Sequence, residues 1–198
     1  MRFVLASQSP ARLAVLKAAG ISPDVLVSGV DEDALVASLV DPTPQRIVEV
    51  LARAKAEAVD VVEGVVVGCD SMLLTADGRV HGKPKTREVA ERRWREQAGT
   101  TATLLTGHAV IRKDADGVRT AVAHEATLVR FGTPTEAELQ AYLDSGEPLE
   151  VAGAFTLDGR GGWFVDGIDG DHTSVIGISL PLTRRLLHSV GITLSDLW

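Results

Sequence analysis

Cysteine is nearly absent. Cys69 is the single one in 198 residues, which excludes an intrachain disulfide framework and a cysteine-based zinc site and points to a reducing compartment. Aromatics are scarce at 4%, so the core is expected to be Val, Leu, Ile and Ala in packed layers of strands and helices, not an aromatic-rich β-sandwich. Positive charge is in deficit, with 20 Lys and Arg against 27 Asp and Glu and a net charge of −7. That balance gives no basic face for coating nucleic acid. A polyphosphate ligand would have to be met by a few local cations, bound metal, or both. No run approaches the ~20 apolar residues of a membrane span, and the first six residues turn polar too soon for a signal-peptide core. The expectation is a soluble, cytoplasmic chain with neither a nucleic-acid polymer nor a membrane as partner.

Apolar residues make up 45% and charged residues 24%, the balance of a globular chain with a substantial core. The length suits one domain or two small lobes; a single domain over 1–198 is expected. Strand and helix patterns alternate. Strands are predicted over residues 3–6, 24–27, 65–67, 101–112 and 118–131, and a hairpin turn at Ala76-Asp77-Gly78-Arg79. Helices are predicted over 11–19 with Leu13, Val15 and Leu16 inward, from Pro44 with Ile47, Val50, Leu51, Ala54 and Ala58 at helical spacing, and over 86–97, 134–143 and 182–188. Residues 153–170 are glycine-rich and read as short strands with tight turns. The alternation predicts an α/β fold built on a mixed sheet.

Four constellations could carry chemistry. In Leu5-Ala6-Ser7-Gln8-Ser9-Pro10-Ala11-Arg12 a strand runs into a helix. Ser9 suits the N-cap and Pro10 the first helical position. Arg12 then opposes the helix dipole at a cost of ~0.3–1 kcal/mol, a sign that an anion at the helix start would reverse; the alternative is an arginine pointing to solvent. Asp70 follows the apolar run Val65-Val66-Val67 through Gly68-Cys69. A carboxylate just past the end of a buried strand stands where α/β proteins bind ligands, and it could hold a metal or accept a proton from water; the alternative is a turn aspartate. Gly82-Lys83-Pro84-Lys85 partly matches a P-loop, but Gly78 is one residue too close and Pro84 stands where Ser or Thr should be. Pattern alone makes it an exposed basic turn. Finally, Lys55 flanks the apolar stripe of its helix and could snorkel, Glu32 sits in an acidic turn, and Glu147 follows the Ser145-Gly146 helix stop. The five histidines, His81, His108, His124, His172 and His188, show no paired spacing for zinc.

Taken in order, these segments, with Asp31-Glu32, Ala54-Lys55-Ala56, Cys69-Asp70-Ser71, Gly82-Lys83-Pro84, Thr106-Gly107, Ser145-Gly146-Glu147, Ala152-Gly153-Ala154-Phe155, Gly170-Asp171 and Val175 to Pro181, resemble the Maf family over nearly the whole chain. The resemblance implies an α/β fold with an elongated mixed β-sheet flanked by helices, two lobes and a deep cleft, like that of inosine triphosphatases. It implies hydrolysis of nucleoside triphosphates to the monophosphate and pyrophosphate, a divalent cation (Mg²⁺ or Mn²⁺), and a homodimer. By matched position it implies Asp70, Lys83 and Glu147 in catalysis, Ser7, Ser9, Arg12, Lys55 and Lys83 on substrate, and Asp70, Glu32 and Glu147 on metal. The chain departs from the family pattern at Ala11, Ala102, Val151 and Asp158. Two alternatives stand beside this reading: a nucleotide phosphomonoesterase, and a non-catalytic nucleotide-binding regulator of cell division.

Overall fold

The computed structural model describes all 198 residues. In chain order the elements are β1 (Phe3–Leu5), α1 (Pro10–Ala18), β2 (Asp24–Val25), α2 (Glu32–Ala37), α3 (Pro44–Glu57), β3 (Gly64–Leu74), β4 (Val80–His81), α4 (Arg87–Gln97), β5 (Thr101–Asp114), β6 (Gly117–Phe131), α5 (Glu136–Asp144), β7 (Val165–Asp169), α6 (His172–Ile176) and α7 (Leu180–Ser189). The sheet runs β2-β1-β3-β5-β6-β7, with β4 paired to β3. It is mixed: β1 is parallel to β2 and β3, whereas β4 on β3 and β7 on β6 are antiparallel. No helix is long and apolar enough to cross a membrane.

Helix starts follow from local chemistry. Ser9, Thr43, Thr86, Thr135 and Ser179 each accept the backbone N–H three residues on, a cap worth roughly 0.5–2 kcal/mol. Pro10 and Pro44 occupy first helical positions, where the missing N–H costs nothing.

The chain forms two compact units: Met1–Asp70 with Thr106–Glu125 and Gly177–Trp198, and Ser71–Leu105 with Ala126–Ile176. In the first, alternate strand residues feed opposite faces of the sheet. Phe3, Leu5, Val65, Val67 and Val110 pack with Leu16, Leu182, Leu186 and Leu187. Val4, Ala6, Val66, Ala109 and Ile111 pack with Ala52 and Ala56. The second unit is centred on Trp94, fully buried, whose Nε1–H donates to Ala154 O at 2.6 Å. The rings of Phe131, Tyr142 and Phe164 meet its ring edge-on at 5.7–5.8 Å. The few aromatics are thus concentrated in one core, where their size and edge-to-face geometry count most.

Three expectations are corrected. Strand β3 does not stop at Val67 but continues to Leu74, so Asp70 lies within the strand and not in a turn. The glycine-rich stretch is only partly strand: it holds β7 (Val165–Asp169) near its end, but Ala152–Ala154 and Arg160–Phe164 before it are short 3₁₀ turns, as is Glu147–Glu150 just upstream. The Glu147 carboxylate collects the N–H groups of Arg160 and Gly161 there, which favours a coil over a ladder. The buried face of α3 is Val48, Leu51, Ala52, Lys55 and Ala56, with Ala58 exposed, so Lys55 stands inside the buried stripe and not beside it.

The rotation of α3 has a cause in two glycines on neighbouring strands. A Cβ on Gly68 would lie 2.2 Å from Ala52 O, and one on Gly107 would lie 2.1 Å from Val48 O. The helix backbone rests directly on β3 and β5 where those side chains are missing. Overpacking at such a contact costs typically 1–3 kcal/mol or more. Gly68→Ala and Gly107→Ala should each lose at least that much in urea denaturation. Gly82→Ala, where a Cβ meets nothing within 4 Å, should stay within ~0.5 kcal/mol of the parent.

Candidate active site

The first unit holds six of the sequence-predicted residues, on the turn into α1, on α1 itself, and on α2, α3 and β3. Leaving β1, the chain turns through Ala6, Ser7, Gln8 and Ser9 into α1. The Ser7 hydroxyl accepts the Ser9 N–H at 3.1 Å, and the Ser9 hydroxyl accepts the Arg12 N–H at 3.4 Å. Arg12 does not point to solvent. Its Nε donates to Gly177 O at 2.7 Å, and its Nη1 donates to Cys69 O at 2.9 Å and to Ser7 Oγ at 3.1 Å. A guanidinium with several fixed donors suits such a clamp better than an ammonium. It also ties the α1 start to β3 and to the turn before α7.

Beside it, Lys55 Nζ lies 2.6 Å from Asp70 Oδ1 and 2.8 Å from Glu32 Oε1. Lys55 comes from the buried face of α3, Asp70 from β3, and Glu32 from the first turn of α2, which Asp31 caps. Lys55 and Asp70 are almost fully buried, with side-chain exposures of 11% and 8%, whereas Glu32 is half-exposed. Burial pushes the Asp70 carboxyl above its ordinary range, against the opposing pull of Lys55 and Arg12. Asp70 Oδ2 is buried with no hydrogen-bond partner. Neighbouring Cys69 is pushed up to about 11 by burial, so it is an inert thiol and not a nucleophile.

Lys83 and Glu147 belong to the second unit, each with its own partners. Lys83 is half-exposed, 3.8 Å from Glu150 Oε2. The backbone beside it is held at Gly82 O, which accepts Arg93 Nη1 at 2.6 Å and the Gly153 amide at 3.3 Å. Glu147 accepts from the Thr156 hydroxyl and from the Arg160 and Gly161 amides at 3.1 and 3.0 Å. Burial works against its charge, but those donors outweigh it and hold the carboxyl below its usual range.

Two partners of the site act through their backbone carbonyls alone. Gly177 O and Cys69 O contribute as backbone acceptors, and any residue type carries a carbonyl. The glycine signal at 177 was present, in a conformation favouring glycine at φ +130°.

No group of three or more His, Cys, Asp and Glu side chains is arranged to hold a metal. That leaves no all-protein cage. It does fit a cation that takes one or two carboxylates and draws its other ligands from phosphate and water, as Mg²⁺ does. The unpartnered Asp70 Oδ2 is a donor of that kind.

An α/β sheet with a serine-arginine turn after β1 and a buried lysine-carboxylate pair between α3 and β3 defines a class of anion-handling proteins. More narrowly, residues 2–190 match the family described as Maf-like protein, and the chain belongs to that family. It is 58% identical over 205 residues to a protein of Saccharopolyspora erythraea named nucleoside triphosphate pyrophosphatase, covering 100% of this chain and 97% of that one. Proteins of the same name from Rhodococcus opacus and Nocardia farcinica are 58% and 59% identical, covering 99% and 98% of this chain and 95% of each relative.

Removing one partner of a buried ion pair leaves the other charge uncompensated, at roughly 3–5 kcal/mol. Lys55→Met should show a loss of that order in urea denaturation. Asp70→Asn should lose less, because Glu32 still compensates Lys55.

Proposed function

We propose that this chain hydrolyses nucleoside triphosphates to the monophosphate and pyrophosphate. The observation that carries the reading is the buried Lys55–Asp70 pair beside the Arg12 clamp: a fixed guanidinium for phosphate next to a carboxylate with one unengaged oxygen. The names of the relatives support the same activity.

In this mechanism Arg12, Ser7, Ser9 and the start of α1 bind the polyphosphate. Free N–H groups at a helix start attract anions. Lys55 keeps Asp70 and Glu32 in place beside it. Water attacks the α-phosphorus, the bond from that phosphorus to the bridging oxygen breaks, and pyrophosphate leaves. Asp70 Oδ2 takes the proton from the attacking water. A carboxyl raised by burial is a better acceptor than an ordinary aspartate. Asp70 and Glu32 would hold a divalent cation, which would supply charge neutralisation when bound. Glu147 is the third acidic group of the proposal; with both oxygens engaged by Thr156, Arg160 and Gly161, its role here is to shape that turn. Charge neutralisation and positioning dominate phosphoryl chemistry, so this handful of groups suffices. A homodimer and a cytoplasmic location come with the reading; sedimentation tests the first.

Purified protein with Mg²⁺ or Mn²⁺ should convert members of a panel of canonical and modified nucleoside triphosphates to monophosphate and pyrophosphate. General-base assistance contributes roughly 10²–10⁴-fold, so Asp70→Asn should lose at least about a hundredfold in kcat while remaining folded. Release of inorganic phosphate instead of pyrophosphate would replace this reading with a phosphomonoesterase. Tight binding without turnover would replace it with a nucleotide-binding regulator.

A further inference from the structure

We infer that His108 is a positioning residue for the triphosphate site, acting through the turn that holds Arg12. The inference rests on the reading of Arg12 as a phosphate ligand. His108 lies on β5, fully buried, where no reaction step uses it. Its Nε2 receives the Ser179 backbone N–H at 2.8 Å. A backbone N–H can only donate, so Nε2 is the bare nitrogen and the proton sits on Nδ1, which donates to Thr106 O at 3.0 Å. The imidazole is thus fixed in one tautomer between its own strand and the cap residue of α7.

Ser179 is two residues from Gly177, whose carbonyl accepts Arg12 Nε at 2.7 Å. The segment 177–179 is therefore held at one end by the Arg12 guanidinium and at the other by the His108 ring. The Ser179 hydroxyl also caps α7 through the Leu182 N–H at 3.1 Å, so its backbone N–H and its side chain are both committed. Gly177 has no room for change: its φ is +130°, and a Cβ there would lie 3.1 Å from Arg12 Nε and 3.3 Å from Arg12 Cγ. The result is a strap running β5, His108, Ser179, Gly177, Arg12. It aims a guanidinium that would otherwise choose among many rotamers, and a ring buried in the sheet is a rigid place to anchor it.

The test pairs two substitutions at one position. His108→Leu fills the space but removes the acceptor. His108→Gln places an amide oxygen where Nε2 accepts. The first readout is hydrogen exchange at the Arg12 Nε–H, observed by ¹⁵N NMR and assigned by its loss in Arg12→Lys. The second is the separate change in KM and kcat for the best triphosphate. Protection of the Arg12 Nε–H should fall in His108→Leu and return in His108→Gln. KM should rise about tenfold in His108→Leu, the scale of one hydrogen bond to a charged group, with kcat changed less, and recover in His108→Gln. Gly177→Ala should reproduce the loss of protection. A His108→Leu protein with lowered Tm but unchanged Nε–H protection and KM would overturn the strap and leave His108 a packing residue. A wild-type protein with no turnover would sink the pyrophosphatase reading alone, since the Nε–H protection would still decide the strap.

Discussion

Helix α3 can lie on the sheet only because Gly68 and Gly107 carry no side chain, and the buried charges depend on that contact. With the helix backbone resting on neighbouring strands, the residue one turn beyond Ala52 is carried into the interior. That residue is Lys55. An ammonium forced inside must be compensated, and Asp70 on the same strand as Gly68 is the nearest strand position to do it. Glu32, from a short capped helix, closes the group from its exposed side. A larger residue at either glycine would press on the α3 backbone that carries Lys55.

Part-buried Arg12 and buried Lys55 are held in different ways, and this decides what each can offer a ligand. The Gly177, Cys69 and Ser7 oxygens that orient Arg12 are neutral acceptors. They fix the guanidinium without cancelling its charge. Lys55 faces two carboxylates instead, so its charge is spent on holding Asp70 and Glu32 together. Two carboxylates converging on one ammonium are already arranged as a divalent cation would need them, and the like-charge repulsion between them is relieved by Lys55 in the meantime. Arg12 is thus suited to phosphate, and Lys55 to keeping the acidic pair in place.

Much of this was legible in the sequence where local chemistry decides. The cap at Ser9, the proline starts at Pro10 and Pro44, the hairpin at residues 76–79 and the break between the strands predicted over 101–112 and 118–131 are all short-range signals, and the elements stand where those signals put them. The ordered family motifs implied the mixed sheet that is observed and pointed to eight residues, six of which lie in the first unit. What failed was decided at long range. Gly68 reads as a turn residue in isolation, and its real reason is a helix that arrives from elsewhere in the chain. Lys55 reads as a flanking charge because the Ile47, Val50, Ala54 and Ala58 spacing is equally helical; only the glycine contacts choose the other face. The glycine-rich 153–170 stretch forms a strand only from Val165, because Glu147 gathers the Arg160 and Gly161 amides into a 3₁₀ turn before it. The clamp on Arg12 was invisible because backbone carbonyls leave no trace in residue type.

The net charge of −7 poses the remaining physical question, since a triphosphate approaching this protein carries the same sign. Screening answers part of it. At physiological salt, interactions between exposed charges fade beyond about 8 Å, so most of the 27 acidic residues act on the ligand weakly. Charges in the interior are screened much less, and there the balance differs. Arg12 and Lys55 are held at fixed positions in a medium where Coulomb terms are several times larger than in water. Against them stand Asp70, whose charge burial disfavours, and Glu32, half-exposed and partly screened. Burial disfavours the Asp70 charge and solvent screens Glu32, while the neutral acceptors around Arg12 leave its charge uncancelled. An acidic chain can in this way present a locally positive site, and the arrangement explains why an arginine was placed at a helix start where, without an anion, the dipole opposes it.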